Sequence, residues 1–556
     1  MVNIRSRVHL WAESSYPYNF YIHQRFFIHN MRKIYMSAAL LGVLLLTNCH
    51  DDLDKVNPNQ LTTETYFKTD TELVLAVNSI YSAMRGTNLI TREWFWTHNM
   101  RSPDWASGGP ALEAPRAQIL NGGTTPDNPV MTAVFNGLYS MIHRANTVIA
   151  KAPEATGNQD RIASAVAEAR FLRGWAYFEL VNFWGEVPIY TEPVTSVGGF
   201  LARSPVADVY NQVIEDLKIA QTELPAKQTG GNEGRASGDA ATAFLAKAYM
   251  QQLDYASAKT ELLKLYGKYT LTPVYNYNFR EENEFNSESI WEESNVAQSS
   301  NGYNWNGDAS GATAALSTTR SQEINPLTWR NAIPSNKLLN EYETPANTPG
   351  LNKVDPRLDY TIYFPDIAPA TIGIPVTADT YKDADNKDVL LTEAAQGNAN
   401  KSTINGKVVK VSWEKYAAIY KVNANPGNVF SGINTRIVRY AEVLLMLAEA
   451  EAMSGGDMMT AVSYLNELRD RADVQMPHYP TAKYPASTKE QVMAAVIHES
   501  TVERGGEEGR DFDTFRWIKA GLIPTTPSPF ETYTFNPAED TYLPIPQTEV
   551  SRNPNL

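Results

Sequence analysis

Between Ser237 and Tyr269 the chain reads SGDAATAFLAKAYMQQLDYASAKTELLKLYGKY, and its apolar residues recur at helical spacing twice over. The pattern predicts one helix from about Asp239 to Gln252, a turn at Leu253-Asp254, and a second helix from Tyr255 to Tyr266. A unit of about 34 residues, with small Ala at close contacts and aromatics between, has the tetratricopeptide period. One such pair cannot bury its own apolar face, so several must stack into a superhelix. A second pair lies in IVRYAEVLLMLAEAEAMSGGDMMTAVSYLNELRDRAD, split by Ser454-Gly455-Gly456-Asp457, and a longer third spans Met131 to Lys151 and Arg161 to Trp184. Further stripes fall at Leu73, Val77, Ile80 and Met84, closed by Gly86, and at Val206, Val209, Val213, Leu217, Ala220 and Leu224, closed by Pro225.

The texture changes between Tyr275 and Asn434, where Asn, Gly, Pro and aromatics replace helical periodicity. So long an irregular stretch inside a folded chain usually carries a binding surface. Within it, Asn405-Gly406 is flanked by β-type runs and predicts a small hairpin. The expected fold class is therefore mostly α: a tetratricopeptide-like helical-repeat superhelix with a large irregular, loop-rich subregion and a few short strands. The expected division is 49–275 for the N-terminal helical repeats, 276–434 for the irregular ligand-binding region and 435–556 for the C-terminal helical region.

The chain has 556 residues and a formal charge of −14, without a basic stripe, which argues against a nucleic-acid partner. A single cysteine, Cys49, excludes both an internal disulfide framework and a CxxC motif. It follows the basic Met31-Arg32-Lys33 and the apolar run Ile34 to Leu46, which is too short for a membrane span and reads as an export signal over 31–48. Residues 1–30 look like neither signal nor domain, so the expected start is Met31, with 1–30 an upstream extension.

Catalytic constellations are absent from the sequence. There is no HExxH, no GxSxG elbow and no GxxxxGK[ST] phosphate loop, and the histidines of the mature body, His50, His98, His143, His478 and His498, are scattered. His498-Glu499 reads as a helix-surface pair. Paired carboxylates can be found anywhere among 62 acidic residues, so they do not single out a glycosidase. No catalytic residue, metal or cofactor is expected.

Binding asks for less. Sugar rings stack their C–H faces on flat aromatics while Asn, Asp and Arg hydrogen-bond the hydroxyls. Of 11 Trp and 29 Tyr, the informative ones lie outside the helical stripes. One group is Trp94, Trp96, Asn99, Arg101, Asp104 and Trp105 in REWFWTHNMRSPDWASGG; the other is Tyr303, Trp305 and Trp329 in the irregular region. Both are candidate ligand contacts, although Trp94 or Trp96 could instead plug the core. Trp175, Trp184 and Trp517 are assigned to the core.

Four stretches in order resemble the SusD/RagB family of outer-membrane nutrient-binding lipoproteins. They are EARFLRGWAYFELVNFWGEVPI (Glu168 to Ile189), IVRYAEVLLMLAEAEA (Ile437 to Ala452), ERGGEEGRDFDTFRW (Glu503 to Trp517) and LPIPQTEVSRNPNL (Leu543 to Leu556). Gly505-Gly506 stands where the family often has an aromatic or apolar residue. In the third stretch, acids interleaved with Arg504, Arg510 and Arg516 predict ion pairs three or four residues apart on a helix. Leu543-Pro544-Ile545-Pro546 should run extended across the helices.

The resemblance implies a non-enzymatic receptor that captures an oligosaccharide or polysaccharide and hands it to a SusC-type TonB-dependent outer-membrane transporter. It also implies a binding face made by a loop after the first helix and by loops of the irregular segment, where both aromatic groups lie. Cys49 then resembles a lipobox cysteine, cleaved before and lipidated, and Asp51-Asp52 the acidic tag that sends Bacteroidetes lipoproteins to the outer face of the outer membrane. The membrane would be met through the lipid alone. The alternative is a structural helical-repeat adaptor of an outer-membrane complex without a ligand of its own.

Overall fold

The computed structural model describes residues 66–196, 198–297, 317–383, 385–397, 400–421 and 431–556. Cys49, the export signal, Tyr303 and Trp305 lie outside the described residues. The chain divides into Met1–Tyr66 and Phe67–Leu556, and everything below concerns the second unit.

Its longer helices are α1 (Asp70–Met84), α2 (Glu93–Met100), α3 (Pro129–Lys151), α4 (Gln159–Trp184), α5 (Val206–Glu223), α6 (Gly238–Gln251), α7 (Tyr255–Leu262), α8 (Tyr440–Met453), α9 (Met458–Arg469), α10 (Lys489–Arg504) and α11 (Arg510–Lys519). Local chemistry starts them where the sequence places caps. Thr69 and Glu72 close a capping box on α1, Thr488 and Gln491 one on α10, and Asn128, Asn158, Ser237, Asp254 and Asp457 cap α3, α4, α6, α7 and α9. The stripes expected on α1 and α5 are buried, apart from the outer edge at Val206.

The helices stack in series. α3 packs on α4, α4 on α5, α5 on α6, α6 on α7, α7 on α8 and α8 on α9, with α1 laid against α3 and α4. This is the repeat stacking that an unpaired apolar face demands. The LPIP stretch behaves as its prolines require: Leu543 N–H donates to Phe183 O at 2.7 Å and Trp184 Nε1 to Pro544 O at 3.1 Å, strapping the end of α4.

The irregular stretch is held by two-stranded antiparallel pairs. Ser289–Glu293 pairs with Thr435–Arg439, Trp105–Ser107 with Ala332–Pro334, and Ile362–Tyr363 with Ser412–Trp413. The predicted hairpin is present as Ser402–Ile404 against Lys407–Val409, turning on Asn405 (φ 50°) and Gly406 (φ 72°), the geometry Asn-Gly favours.

Two expectations change on the same ground. The charges of ERGGEEGRDFDTFRW do pair, but at helical spacing only as Arg516–Asp513; Arg504 also bonds Asp513, the other partners come from afar, and the whole set is buried. Arg439 bonds Glu503 at 2.7 Å and Glu507 at 2.8 Å, Lys415 bonds Glu507 at 3.0 Å, Arg471 bonds Glu503 at 2.9 Å, and Arg516 bonds Glu449 at 2.7 Å. Nor is His498-Glu499 a surface pair. Both are buried: His498 Nδ1 meets Glu341 at 2.7 Å, while Glu499 accepts from Arg357 at 2.5 Å and Arg469 at 3.1 Å. Spacing along a helix reports which residues share a face, not whether another element covers it.

This buried network sets an acid limit. Burial alone would raise Glu507, but Arg439 and Lys415 bring it down to about 2; Glu343, bonded to His498 and facing Arg469, and Asp513, facing Arg516 and Arg504, are likewise held near about 2. Groups lowered in the fold add stability above their unfolded values of roughly 4. That contribution is lost as pH falls through about 4 toward about 2. Burial acts the other way on Glu293 and Glu284, pushed up to about 7, whose contribution is complete below roughly pH 4 and lost as pH rises to about 7. The expected melting temperature therefore climbs from pH 2 to about 5 and sags between about 5 and 7.5. A pH series of thermal melts checks both limbs, and a flat profile below pH 5 would contradict the network.

Candidate functional site

The first aromatic group of the sequence is not a surface. The segment expected as a loop forms α2, and every residue from Glu93 to Met100 is buried. Its polar residues Glu93, Thr97, His98 and Asn99 are buried along with its aromatics, so the helix threads the core. Trp94 and Trp96 are 2% and 0% exposed, and Trp105 is 3% exposed and packed at a 33° tilt against Trp413, 4.3 Å between centroids. Trp94 Nε1 donates to Glu179 at 2.9 Å, and the Arg116 guanidinium lies 5.1 Å from the Trp96 ring.

The polar members are spent on the protein too. Asn99 points to Glu508 at 3.4 Å, Arg101 donates to Thr541 O at 2.9 Å, and Asp104 accepts from Arg510 Nε at 3.1 Å. None of the six offers a face to a sugar in this structure. Their carboxylate and guanidinium partners arrive from Glu179, Glu508 and Arg510, far along the chain. Trp175, Trp184 and Trp517, assigned to the core, are buried as expected.

Trp329 behaves differently, with 41% of its surface exposed. It follows the short helix Arg320–Ile324, on a turn in which Thr328 Oγ1 donates to Gln322 O at 2.6 Å and Trp329 N–H donates to the same oxygen at 3.2 Å. Directly behind it, Arg330 is fully buried at φ 46°. Its guanidinium donates to Ser412 Oγ at 2.9 Å, Val411 O at 2.7 Å and Asn400 O at 3.1 Å. Burial among neutral acceptors lowers the Arg330 pKa to about 10.

Gly108 closes on this anchor: its N–H donates to Asn331 O at 2.9 Å, and a Cβ there would sit 1.9 Å from Arg330 O. The exposed ring is thus mounted on a rigid base. Arg330 and Gly108 escaped the sequence reading, since nothing local marks an arginine as buried.

The same base reaches the flanks of 298–316, the segment that carries Tyr303 and Trp305. Thr318 and Ser431 exchange backbone hydrogen bonds at 3.2 and 3.3 Å, and Asn295 Nδ2 donates to Ile433 O at 3.2 Å. Gly432 N–H donates to Glu281 at 2.8 Å, and a Cβ on Gly432 would meet Ala297 N at 2.5 Å. Arg280 lies 3.9 Å over the Tyr420 ring. Residues 297, 317, 420 and 431, at or next to the edges of segments 298–316 and 422–430, are therefore tied into one margin. Thr319 Oγ1 joins it to Thr91 O at 3.3 Å, and Arg92 bonds Glu323 at 2.5 Å.

Among the described residues, no group of three or more His, Cys, Asp or Glu could hold a metal ion, and no helix is long and apolar enough to cross a membrane.

Comparison with known proteins gives this geometry its context. Residues 53–250 match the family model described as "Starch-binding associating with outer membrane", and residues 287–556 match that of the SusD family. A SusD-like protein of Formosa agariphila is 24% identical over 540 residues, covering 94% of this chain and 98% of that protein. Among solved structures, a SusD superfamily protein from Bacteroides vulgatus is similar with a TM-score of 0.70 and 23% identity, covering 88% of this chain and 98% of its own. Surface glycan-binding protein A from Bacteroides thetaiotaomicron, in complex with laminarihexaose, is similar with a TM-score of 0.66 and 22% identity, covering 88% of this chain and 99% of its own. These structures share the helical fold, and the two family models between them take in both the helical repeats and the irregular region with its C-terminal helices. The chain belongs to the SusD/RagB family.

Proposed function

We propose that this protein is a non-catalytic surface receptor that captures an oligosaccharide or polysaccharide at the margin carrying Trp329. The observation that carries the reading is the half-exposed Trp329 ring on the buried Arg330 anchor, beside the flanks of the segment holding Tyr303 and Trp305. A flat ring held still stacks on a sugar at little entropic cost. Family membership and a structural relative complexed with laminarihexaose support a glycan as the ligand. The protein is held to the outer face of the outer membrane by lipid on Cys49, and it delivers its ligand to a SusC-type TonB-dependent transporter without breaking a bond.

Trp329→Ala tests this. Loss of a central stacking ring is expected to weaken glycan binding by about 2 kcal/mol, roughly thirtyfold, in affinity electrophoresis or calorimetry. The melting temperature should fall far less than for a fully buried tryptophan, because 41% of the Trp329 surface is exposed. Undiminished binding by the variant would remove Trp329 from the site. No binding by the native protein, together with copurification of the transporter, would favour the adaptor.

A further inference from the structure

The end of α4, the first turn of α5, the end of α6, α11 and the chain from 525 to 542 line a cavity of about 340 Å³ that shares no residue with the Trp329 margin. Clefts of roughly 300–1,000 Å³ hold small ligands. Two of its aromatic walls are held in place yet partly exposed. Tyr542 is 43% exposed; its ring lies on the backbone of Gly185, where a Cβ would come within 3.1 Å of it, and the next residue, Leu543, is strapped to Phe183 O. Phe515 is half-buried, with the Arg101 guanidinium 4.5 Å from its ring centroid. Hydroxyls join the lining: Tyr210 donates to Asn182 Oδ1 at 2.9 Å and Thr541 to Pro537 O at 2.5 Å, so each hydroxyl oxygen keeps lone pairs for the O–H groups of a ligand.

The charge here is opposite to that of the chain. On a protein of formal charge −14, no Asp or Glu lines this cavity, and two cations do. Arg516 is spent on Glu449 and Asp513, at 2.7 Å each. Lys519 is exposed and donates to a carbonyl, Gln251 O, at 3.1 Å. An ammonium has three donors, so two remain for a ligand. Desolvation lowers the Lys519 pKa, and no neighbouring acid raises it.

We propose that this cavity is a second saccharide site, one that takes a sugar ring bearing a carboxylate, with the ring against Tyr542 and Phe515 and the carboxylate on Lys519. A uronate meets each feature of the lining: its C–H face suits the aromatics, its hydroxyls suit Tyr210 and Thr541, and its charge suits an ammonium without a carboxylate of its own. The saccharide class rests on the glycan reading above, whereas the site does not, so Trp329→Ala separates the two failures. Calorimetry at low salt would use trisaccharides of galacturonate, mannuronate and guluronate, each beside its methyl ester. At least one acid is expected to bind the native protein, and its ester about tenfold less tightly, because esterification keeps the ring and removes the charge-assisted bond. The difference should shrink as salt is added.

Lys519→Gln, at an exposed position, should erase the preference for the acid over its ester. Val206→Trp, which fills the cavity from its half-buried rim, should abolish binding of both, while Trp329→Ala leaves both unchanged; thermal melts check that each variant is folded. Failure of every acid to bind overturns the second site and leaves the Trp329 margin standing. So does acid binding that survives Lys519→Gln and Val206→Trp undiminished, or that Trp329→Ala abolishes. Binding of the aromatic acid 4-hydroxyphenylacetate with no uronate bound would overturn the saccharide class.

Discussion

Arg439→Ala is expected to destabilise the fold by about 3–5 kcal/mol, the largest effect of any single substitution considered. The guanidinium is 2% exposed and holds Glu503 at 2.7 Å, Glu507 at 2.8 Å and Glu288 at 3.3 Å, with a further bond to Glu503 O at 3.0 Å. Arg471 and Arg357 still face Glu503, and Lys415 faces Glu507, so the acids are not stripped of every cation. They nonetheless lose the one group that joins them. Removing one partner of a buried ionic set leaves uncompensated charge in a medium that solvates it poorly, and this costs far more than the set contributes relative to apolar packing. The effect should appear as a large drop in denaturation midpoint, greater near pH 7 than near pH 3, where protonation relieves the stranded acids. A loss below about 1 kcal/mol would mean that water reaches the network.

Gly506→Ala is expected to cost about 2–4 kcal/mol. Gly506 has φ +83°, where an L side chain pays roughly 1–2 kcal/mol. A Cβ there would lie 2.6 Å from the Trp413 ring, which is fully buried and packed against Trp105, so it cannot step aside without off-rotamer strain of about 1–3 kcal/mol. Gly521→Ala is the control: φ is +73° with nothing within 4 Å, so only the backbone share, about 1 kcal/mol, should be lost. Equal losses at both positions in chemical denaturation would show that Trp413 yields.

A Cβ at Gly505 would meet Leu338 at 2.6 Å, and α10 ends at Arg504, leaving Gly509 at φ +81° to open α11.

How much was legible differs by element. The caps at Asn128, Asn158, Ser237 and Asp457, the stripes on α1 and α5, the Asn405-Gly406 hairpin and the extended LPIP strap depend on residues a few positions apart. Local propensity and periodicity report such features faithfully. WFW in α2 misled because hydrophobicity on every side of a short segment suits an exposed binding loop and a core helix equally well on paper. Only the arrival of Glu179 and Arg116 beside those indoles decides for the core.

The sequence by itself determined the helical repeats, their pairing and the family likeness, since each is a pattern of neighbours along one chain. Tertiary structure alone decided that the acids of ERGGEEGRDFDTFRW are interior, that Trp94, Trp96 and Trp105 are buried, and that Trp329 stands exposed on Arg330. Burial depends on which distant segment lands on a face. For Arg330, whose acceptors come from Asn400, Val411 and Ser412, no spacing within the local sequence encodes that encounter.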